Sequence, residues 1–218
     1  MTTKTYGQYC GVARALELVG ERWALLIVRD LLVGPKRYTD LRAGLPKIPT
    51  NVLATRLKEL ESAGLVERRV QPRPSGAIVY ELTPYGLELD TVVLALGRWG
   101  ARSLGELRPG EIATADSLAM ALRSTYHPLK RGMGKLAYEV RFGEIVIHAT
   151  CSGSTLTAVP GSFSEPVPSN LVVVEALAPL TPLLTGTIDG AKALAEGIVG
   201  KQATAAELDV FAATFRIE

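Results

Sequence analysis

Cysteine and histidine are scarce in this sequence, which limits the chemistry that it can perform. Two cysteines, Cys10 and Cys151, and two histidines, His127 and His148, occur among 218 residues. The cysteines have neither metal-ligand spacing nor the pattern of a disulfide framework. Gly-x-Ser-x-Gly, P-loop and His-Glu-x-x-His motifs are all missing. We therefore expect no catalytic residues, no metal and no cofactor, and we interpret His148 and Cys151 as packed strand residues.

Long apolar runs are also missing. WALLIV is followed at once by Arg29, and LVVV by Glu175, so no stretch approaches the ~20 apolar residues that span a bilayer. The N-terminal sequence MTTKTYGQYC lacks the apolar core of a signal peptide. We expect a cytoplasmic protein that does not bind membranes.

Basic residues are concentrated in one part of the first half. Residues 36–73 contain nine Lys and Arg residues against four Asp and Glu residues, whereas residues 109–218 contain eight against eleven. A local basic patch suits a polyanion such as DNA. On charge alone, an ordinary solvated surface is an equally good interpretation.

The first half has the pattern of successive helices followed by a hairpin. Apolar spacing and Gly or Pro stops predict helices ending at Gly20, across ERWALLIVRDLLVGP, across YTDLRAGL and across 49–63. LVERRV and AIVYELT flank the turn QPRPSG and predict a hairpin. Thr83-Pro84 then begins a long helix that is expected to run to about Leu104. This order predicts a winged helix-turn-helix, in which the helix at 49–63 enters the major groove.

The helix at 49–63 has two different faces. Leu53, Leu57 and Leu60 lie on one side at ~100° per residue. Hydrogen-bonding side chains lie on the other: Asn51, Thr55, Lys58 and Ser62. Such side chains can contact bases or phosphates. A plain amphipathic helix also fits, but the flanking basic hairpin favours DNA. The candidate DNA-binding residues are Lys36, Arg37, Thr50, Asn51, Thr55, Arg56, Lys58, Arg69 and Arg73.

Three stretches carry a resemblance to a known family: CGVARALELVGERWALLIVRDLLVGPKRYTDLRAGLP, NVLATRLKELESAGLVERRV and YELTPYGLEL. Together, over about residues 9–100, they resemble the HxlR family of bacterial winged-helix regulators. The resemblance implies a homodimer whose terminal helices form the interface and which binds a pseudo-palindromic double-stranded operator. The wide apolar surface predicted for 84–104 agrees with a second copy of the chain as partner.

Two positions within that resemblance bear on function: the start of the recognition helix and Cys10. The family usually starts its recognition helix with Ser-Pro-Asn, whereas this chain has Pro49-Thr50-Asn51, so we expect Thr50 to cap a helix that begins one residue later. Some members sense oxidants or electrophiles through a cysteine just before the first helix, and Cys10 matches that position. Because a helix N-terminus favours thiolate, Cys10 is a redox-sensing candidate; an unreactive, half-buried cysteine is the alternative.

The second half predicts an α+β domain. Asp116 is expected to cap a helix through SLAMALRSTYH; KLAYEVRF, GEIVIHATCSG, STLTAVPG and NLVVVEAL predict strands, and three short helices close the chain. The order, with LVVVEALAPLTPLLTGTIDGAKALAEGIVG, looks like a sterol carrier protein-like domain over about 110–218. That resemblance implies an apolar tunnel for a lipid or similar ligand. Its candidate lining residues, which suit a plain core equally well, are Leu183, Leu184, Leu194 and Ile198.

The complete prediction is a two-domain regulator: 1–108 for DNA binding and dimerisation, and 109–218 for a small apolar ligand. It would respond to that ligand or to modification of Cys10. One alternative is an intracellular lipid or acyl-ligand carrier that uses the winged half only to dimerise. An enzyme with its site in the second half is a further alternative, which the shortage of histidine, cysteine and paired carboxylates disfavours.

Overall fold

The first part of the chain folds as helices followed by a two-stranded hairpin, in the order that the sequence predicts. The computed structural model describes residues 5–128 and 134–218. The helices are α1 (Gly11–Val19), α2 (Ala24–Leu31), α3 (Tyr38–Gly44) and α4 (Thr50–Ser62). The antiparallel strands β1 (Val66–Val70) and β2 (Ile78–Leu82) follow, with Val66 opposite Leu82 and Val70 opposite Ile78.

The core of this part collects the apolar faces of α2, α3 and α4. Ile27, Val28, Leu41 and Leu53 are completely buried, and Leu57 is 2% exposed. Burial of one such side chain contributes about 1.5–3 kcal/mol. The predicted central position of the second helix is thus confirmed, and the packing fixes which side of α4 faces outward.

The long helix predicted from 84 to about 104 is wrong as a single element. The chain instead forms α5 (Pro84–Leu87) and α6 (Asp90–Ala101). Thr83 caps α5 as predicted, and its Oγ1 accepts a bond of 3.0 Å from the amide of Gly86. After Leu87 the path tightens, because the amide of Leu89 donates to the carbonyl of Gly86, three residues back, at 3.1 Å. That tighter turn separates the two helices.

The second part of the chain is α+β, as predicted. Its elements are α7 (Ala115–Thr125), β3 (Leu136–Phe142), β4 (Ile145–Ser152), β5 (Thr155–Pro160), β6 (Leu171–Ala176), α8 (Thr181–Leu184), α9 (Gly190–Ala195) and α10 (Ala205–Thr214). Within the described residues, the sheet order is β5-β4-β3-β6, with β6 parallel to β3 and the other pairs antiparallel. The chain divides into two compact units, Met1–Val93 and Leu94–Glu218, so α6 begins in one unit and ends in the other.

The predicted cap at Asp116 is wrong. Thr114 is the N-cap of α7, and its Oγ1 accepts from the amide of Ser117 at 3.2 Å, while Ser117 Oγ is 2.9 Å from the amide of Thr114. Asp116 lies in the first turn, where its negative charge still suits the helix dipole. Both Thr and Asp are favourable caps, so composition alone does not choose between positions two residues apart.

Aromatic rings fill the core of the second unit. The ring of Tyr138 packs edge-on against Phe211 and Phe215, at centroid distances of 5.2 and 5.7 Å. Cys151 is completely buried, and burial raises the pKa of its thiol to about 12. The Nδ1 atom of His148 is 2.9 Å from the carbonyl oxygen of Gly161. Both residues lie in strand β4, as predicted, with Cys151 packed in the core and His148 next to a backbone carbonyl.

Candidate nucleic-acid interface

One side of α4 is exposed along its whole length. We call the exposed residues on this side the outer row: Asn51, Thr55, Lys58 and Ser62. On the opposite side, Leu53, Leu57 and Leu60 are 0%, 2% and 1% exposed. The buried leucines therefore orient α4 so that the outer row, which the sequence predicts to contact DNA, faces outward.

Hydrogen bonds orient two members of the outer row. The Oγ1 atom of Thr55 donates to the carbonyl of Asn51 at 2.9 Å, and Ser62 Oγ donates to the carbonyl of Lys58 at 2.8 Å. Because the hydroxyl proton of Thr55 is used inside the helix, this exposed side chain has its methyl group and oxygen lone pairs left for other contacts. A methyl group suits thymine, and an oxygen acceptor suits an amino group on a base edge.

The start of α4 differs from the expectation. Pro49 is the N-cap, with an extended backbone at φ −64° and ψ 142°, and Thr50 is already the first helical residue. The prediction that Thr50 caps the helix is therefore wrong; proline offers no side-chain acceptor, and the helix begins directly after it. The start of the helix is held by Tyr38, whose Oη donates to the carbonyl of Thr50 at 2.8 Å. Sequence reasoning missed this contact because the two residues lie in different helices.

The hairpin is tied to the start of α3. Lys36 and Tyr80 exchange two backbone hydrogen bonds, of 3.0 and 2.7 Å, and Arg37 Nη2 donates to Ser75 Oγ at 3.2 Å. Arg73, an exposed residue of the hairpin tip, lies two residues before Ser75, the partner of Arg37. The predicted contacts Lys36, Arg37 and Arg73 thus belong to one connected region of the first unit.

Two further candidates are engaged with carboxylates. Arg69 Nε lies 2.7 Å from Glu81 Oε1, yet its side chain remains 53% exposed. Arg56 is only 15% exposed and binds Glu21 and Glu59. Arg69 can exchange its surface partner for a phosphate at little cost, whereas Arg56 would have to leave a sheltered site.

Exposed basic residues also occur at the end of α3 and in the turn between α3 and α4. Arg42, in the last turn of α3, and Lys47, in the turn before α4, are both exposed. They were counted in the basic patch at 36–73 but not among the candidate contacts. Their position at the end of α3 and in the turn before α4 was the available signal.

Cys10 is exposed and directly precedes α1. The backbone amides of Ala13 and then Val12, at the N-terminus of the helix, lower the pKa of its thiol. The two cysteines therefore have opposite environments, one open to reagents and one buried.

Two helices carry exposed apolar faces. On α1, Val12 is 69% and Leu16 44% exposed; on α6, Val92, Leu96 and Trp99 are 47%, 45% and 70% exposed. Large apolar side chains left in water on neighbouring turns of one helix are typical of a surface that another protein covers.

The ligand-pocket candidates of the second unit are apolar and at least partly buried. Leu183 is 1% exposed, and Leu184, Leu194 and Ile198 are intermediate. Across residues 5–128 and 134–218, no cluster of His, Cys, Asp and Glu has the arrangement of a metal site. Nor does any helix in those ranges have the length and apolar character needed to cross a membrane.

Comparison with known proteins places the first half in a family. Residues 18–107 match the HxlR family, described as HxlR-like helix-turn-helix. The HTH-type transcriptional regulator YodB of Bacillus subtilis (strain 168) is 40% identical over 85 residues, which are 39% of this chain and 76% of YodB.

Solved structures give matches over the same portion. The redox regulator HypR in its oxidized form is 31% identical with a TM-score of 0.41, over 45% of this chain and 100% of HypR. Quinone-bound YodB from B. subtilis is 36% identical with a TM-score of 0.37, over 42% of this chain and 96% of that protein. The sequence matches carry the assignment, and the chain belongs to the HxlR-like helix-turn-helix family.

Proposed function

We propose that this protein is a transcriptional regulator that binds double-stranded operator DNA as a homodimer. The observation that carries the proposal is the outer row of α4, exposed opposite a buried leucine stripe. The relatives named above are transcriptional regulators, and family membership does not favour the carrier alternative. Residues 1–108 are the proposed DNA-binding and dimerisation domain, because α6 belongs to the dimer surface described next.

The exposed apolar face of α6 is the proposed dimer surface. Two-fold symmetry would present two copies of α4 to one side of a duplex, which matches a pseudo-palindromic operator. When a second copy of the chain covers Leu96 and Trp99, their apolar surface is removed from water, a favourable contribution of about 25 cal/mol per Å².

The candidate contacts other than Arg56 fall into two proposed roles. Asn51, Thr55 and Lys58 contact base edges or nearby phosphates in the major groove. Arg73 at the hairpin tip contacts the phosphate backbone. Further phosphate contacts on either side are proposed for Lys36, Arg37, Thr50 and Arg69. Phosphate contacts position the protein without reading sequence, whereas base contacts discriminate between sequences.

Regulation is proposed to act by linkage. One proposed signal is a modified Cys10. The other is a small apolar ligand bound in a sterol carrier protein-like second domain, with Leu183, Leu184, Leu194 and Ile198 as its lining. Either signal would favour a spacing of the two α4 helices that differs from the spacing in the DNA complex. Either signal can weaken DNA binding only by its differential affinity for the two states. YodB has a quinone-bound form, so benzoquinone is the first reagent to test on Cys10.

Two substitutions test the DNA-binding proposal. Lys58→Ala should weaken binding to a selected operator by about tenfold, the cost of one lost base or phosphate contact. Arg73→Ala should weaken all duplexes to a similar degree and lower the salt dependence by about one unit. Fluorescence anisotropy titrations measure both. Unchanged affinity in both variants would overturn the proposal.

A further inference from the structure

Arg56 lies on α4 but does not belong to its outer row. Its side chain is 15% exposed, whereas Thr55 and Lys58 on either side of it are exposed. At ~100° per residue, Arg56 lies at the edge of the leucine stripe, about 60° from Leu53. The guanidinium therefore points along the body of the unit and not toward the surface that would meet DNA.

The contacts of Arg56 join α4 to the turn between α1 and α2. Its Nη2 atom is 3.1 Å from Glu21 Oε2, across 35 residues of sequence, and its Nη1 donates to Glu59 one turn further along α4. The Nε atom is buried and, among the described residues, has no hydrogen-bond partner. A guanidinium that reached out to a phosphate would have to abandon both carboxylates.

We propose that Arg56 is a positioning residue that fixes the orientation of α4, and that it does not contact DNA. This inference rests on the proposed function. The leucine contacts of α4 are apolar and non-directional, so they tolerate a small rotation of the helix. The planar fork of an arginine binds carboxylates in a defined geometry and restricts that rotation.

A second directional contact makes the restraint effective. Tyr38 holds the carbonyl of Thr50 at the start of α4, and Arg56 holds the helix six residues later, about 9 Å along its axis at 1.5 Å per residue. Two directional attachments at separate points define how the outer row is aimed, which a single attachment does not.

The consequence is a separation between sequence discrimination and general affinity. Hydrogen bonds to base edges need donor–acceptor distances near 3 Å, so a rotated α4 loses them first. Contacts from flexible side chains to phosphates tolerate the same rotation. Loss of the Arg56–Glu21 pair should therefore reduce selectivity while leaving binding to random DNA almost unchanged.

The test uses the full chain and two DNA probes of equal length: a duplex enriched by the wild type from a randomised library, and a random duplex. Anisotropy titrations across several salt concentrations compare wild type with Arg56→Gln, Glu21→Gln and the double variant. Lys58→Gln is the matched control, since it removes one positive charge from the outer row of the same helix.

Arg56→Gln should weaken binding to the enriched duplex about tenfold, change binding to the random duplex less than about twofold, and leave the salt slope unaltered. Glu21→Gln should reproduce the loss, and the double variant should be no worse than Arg56→Gln, because the Arg56–Glu21 pair is already broken in Arg56→Gln. Lys58→Gln should lower the salt slope by about one unit.

A lower salt slope in Arg56→Gln, with equal losses on both duplexes, would make Arg56 a phosphate contact and overturn the inference. Unchanged binding of Arg56→Gln to both duplexes would overturn it as well. If that variant does not fold by thermal melting, Glu21→Gln applies the same criteria with the guanidinium in place. A wild type that enriches no duplex defeats the proposed function itself, a result that none of the variants can imitate.

Discussion

At the scale of the residue, neighbours on α4 have opposite tasks. Leu57 is 2% exposed in the core, and Lys58 is exposed on the outer row. We expect Leu57→Ala to lower the free energy of unfolding by about 2–5 kcal/mol, since it leaves a cavity. Lys58→Ala should change it by no more than about 0.5 kcal/mol. Urea denaturation measures both, and equal losses of stability would contradict the assignment of the two faces.

Cys10 provides a second prediction at this scale. Because helix amides lower the pKa of its thiol, the thiolate should form at a lower pH than in an ordinary cysteine, whose pKa is about 8.5. The rate of alkylation by iodoacetamide follows the thiolate fraction, so its midpoint should lie below that of the same cysteine in the urea-denatured chain.

Cys151 is the internal control for this experiment. Its buried thiol, with a pKa of about 12, should remain unlabelled in the native protein over the same pH range. Peptide mass spectrometry separates the two sites. A Cys10 midpoint at or above that of the denatured chain would contradict the activation of its thiol by the helix.

Individual contacts were the least predictable feature. The spacing of Leu53, Leu57 and Leu60 was enough to predict which side of α4 is buried, because helical periodicity is local. Glu21 lies 35 residues from its partner Arg56, and Thr50 lies 12 residues from its partner Tyr38, and only the packing of helices brings these pairs together. That is why the sequence, where nearby charge is the available criterion, predicts Arg56 as a DNA contact, whereas its carboxylate partners support the proposal that it positions α4.

At the scale of the element, Gly86 allows α5 to begin close to the preceding strand region. A Cβ at Gly86 would lie 2.0 Å from the carbonyl oxygen of Leu65, whereas one at Gly100 in α6 meets nothing within 4 Å. Gly86→Ala should therefore destabilise the protein by about 1–3 kcal/mol through overpacking.

Gly100→Ala is the matched control. Because a Cβ at Gly100 meets open space within a helix, this substitution should raise the free energy of unfolding by up to about 1 kcal/mol through the higher helix propensity of alanine. Thermal unfolding of the two variants should therefore shift in opposite directions. A Gly86→Ala variant as stable as the wild type would contradict the close approach of α5 to Leu65.

Element boundaries followed from the sequence where glycine or proline marks them. Gly20 ends α1, and the Thr83-Pro84 pair begins α5, both as predicted. The break at Glu88 and Leu89 has neither residue, and it arises from three-residue hydrogen bonds that apolar periodicity does not reveal. Strands β3 to β6 were predictable from apolar patterning, but the parallel pairing of β6 with β3 depends on contacts between distant segments.

At the scale of the whole molecule, the apolar face of α6 predicts self-association. Leu96→Glu should convert a dimer into a monomer, because it places a charge where apolar side chains are covered by a second copy. Ala191→Glu, at an exposed position of α9, adds the same charge on a helix that is not part of the proposed seam and should leave the dimer intact. Sedimentation velocity distinguishes the two states. A wild type that sediments as a monomer would contradict the proposed seam.

Selection of bound fragments from a library of randomised duplex DNA tests the central claim most directly. If the outer row of α4 reads the major groove in two copies, the wild type should enrich an inverted repeat. Its half-sites should lie about one helical turn, 10–10.5 base pairs, or a multiple of that apart. Replacing Asn51 by Ala should relax the preference at one position of each half-site. Recovery of fragments without any shared sequence would contradict the account.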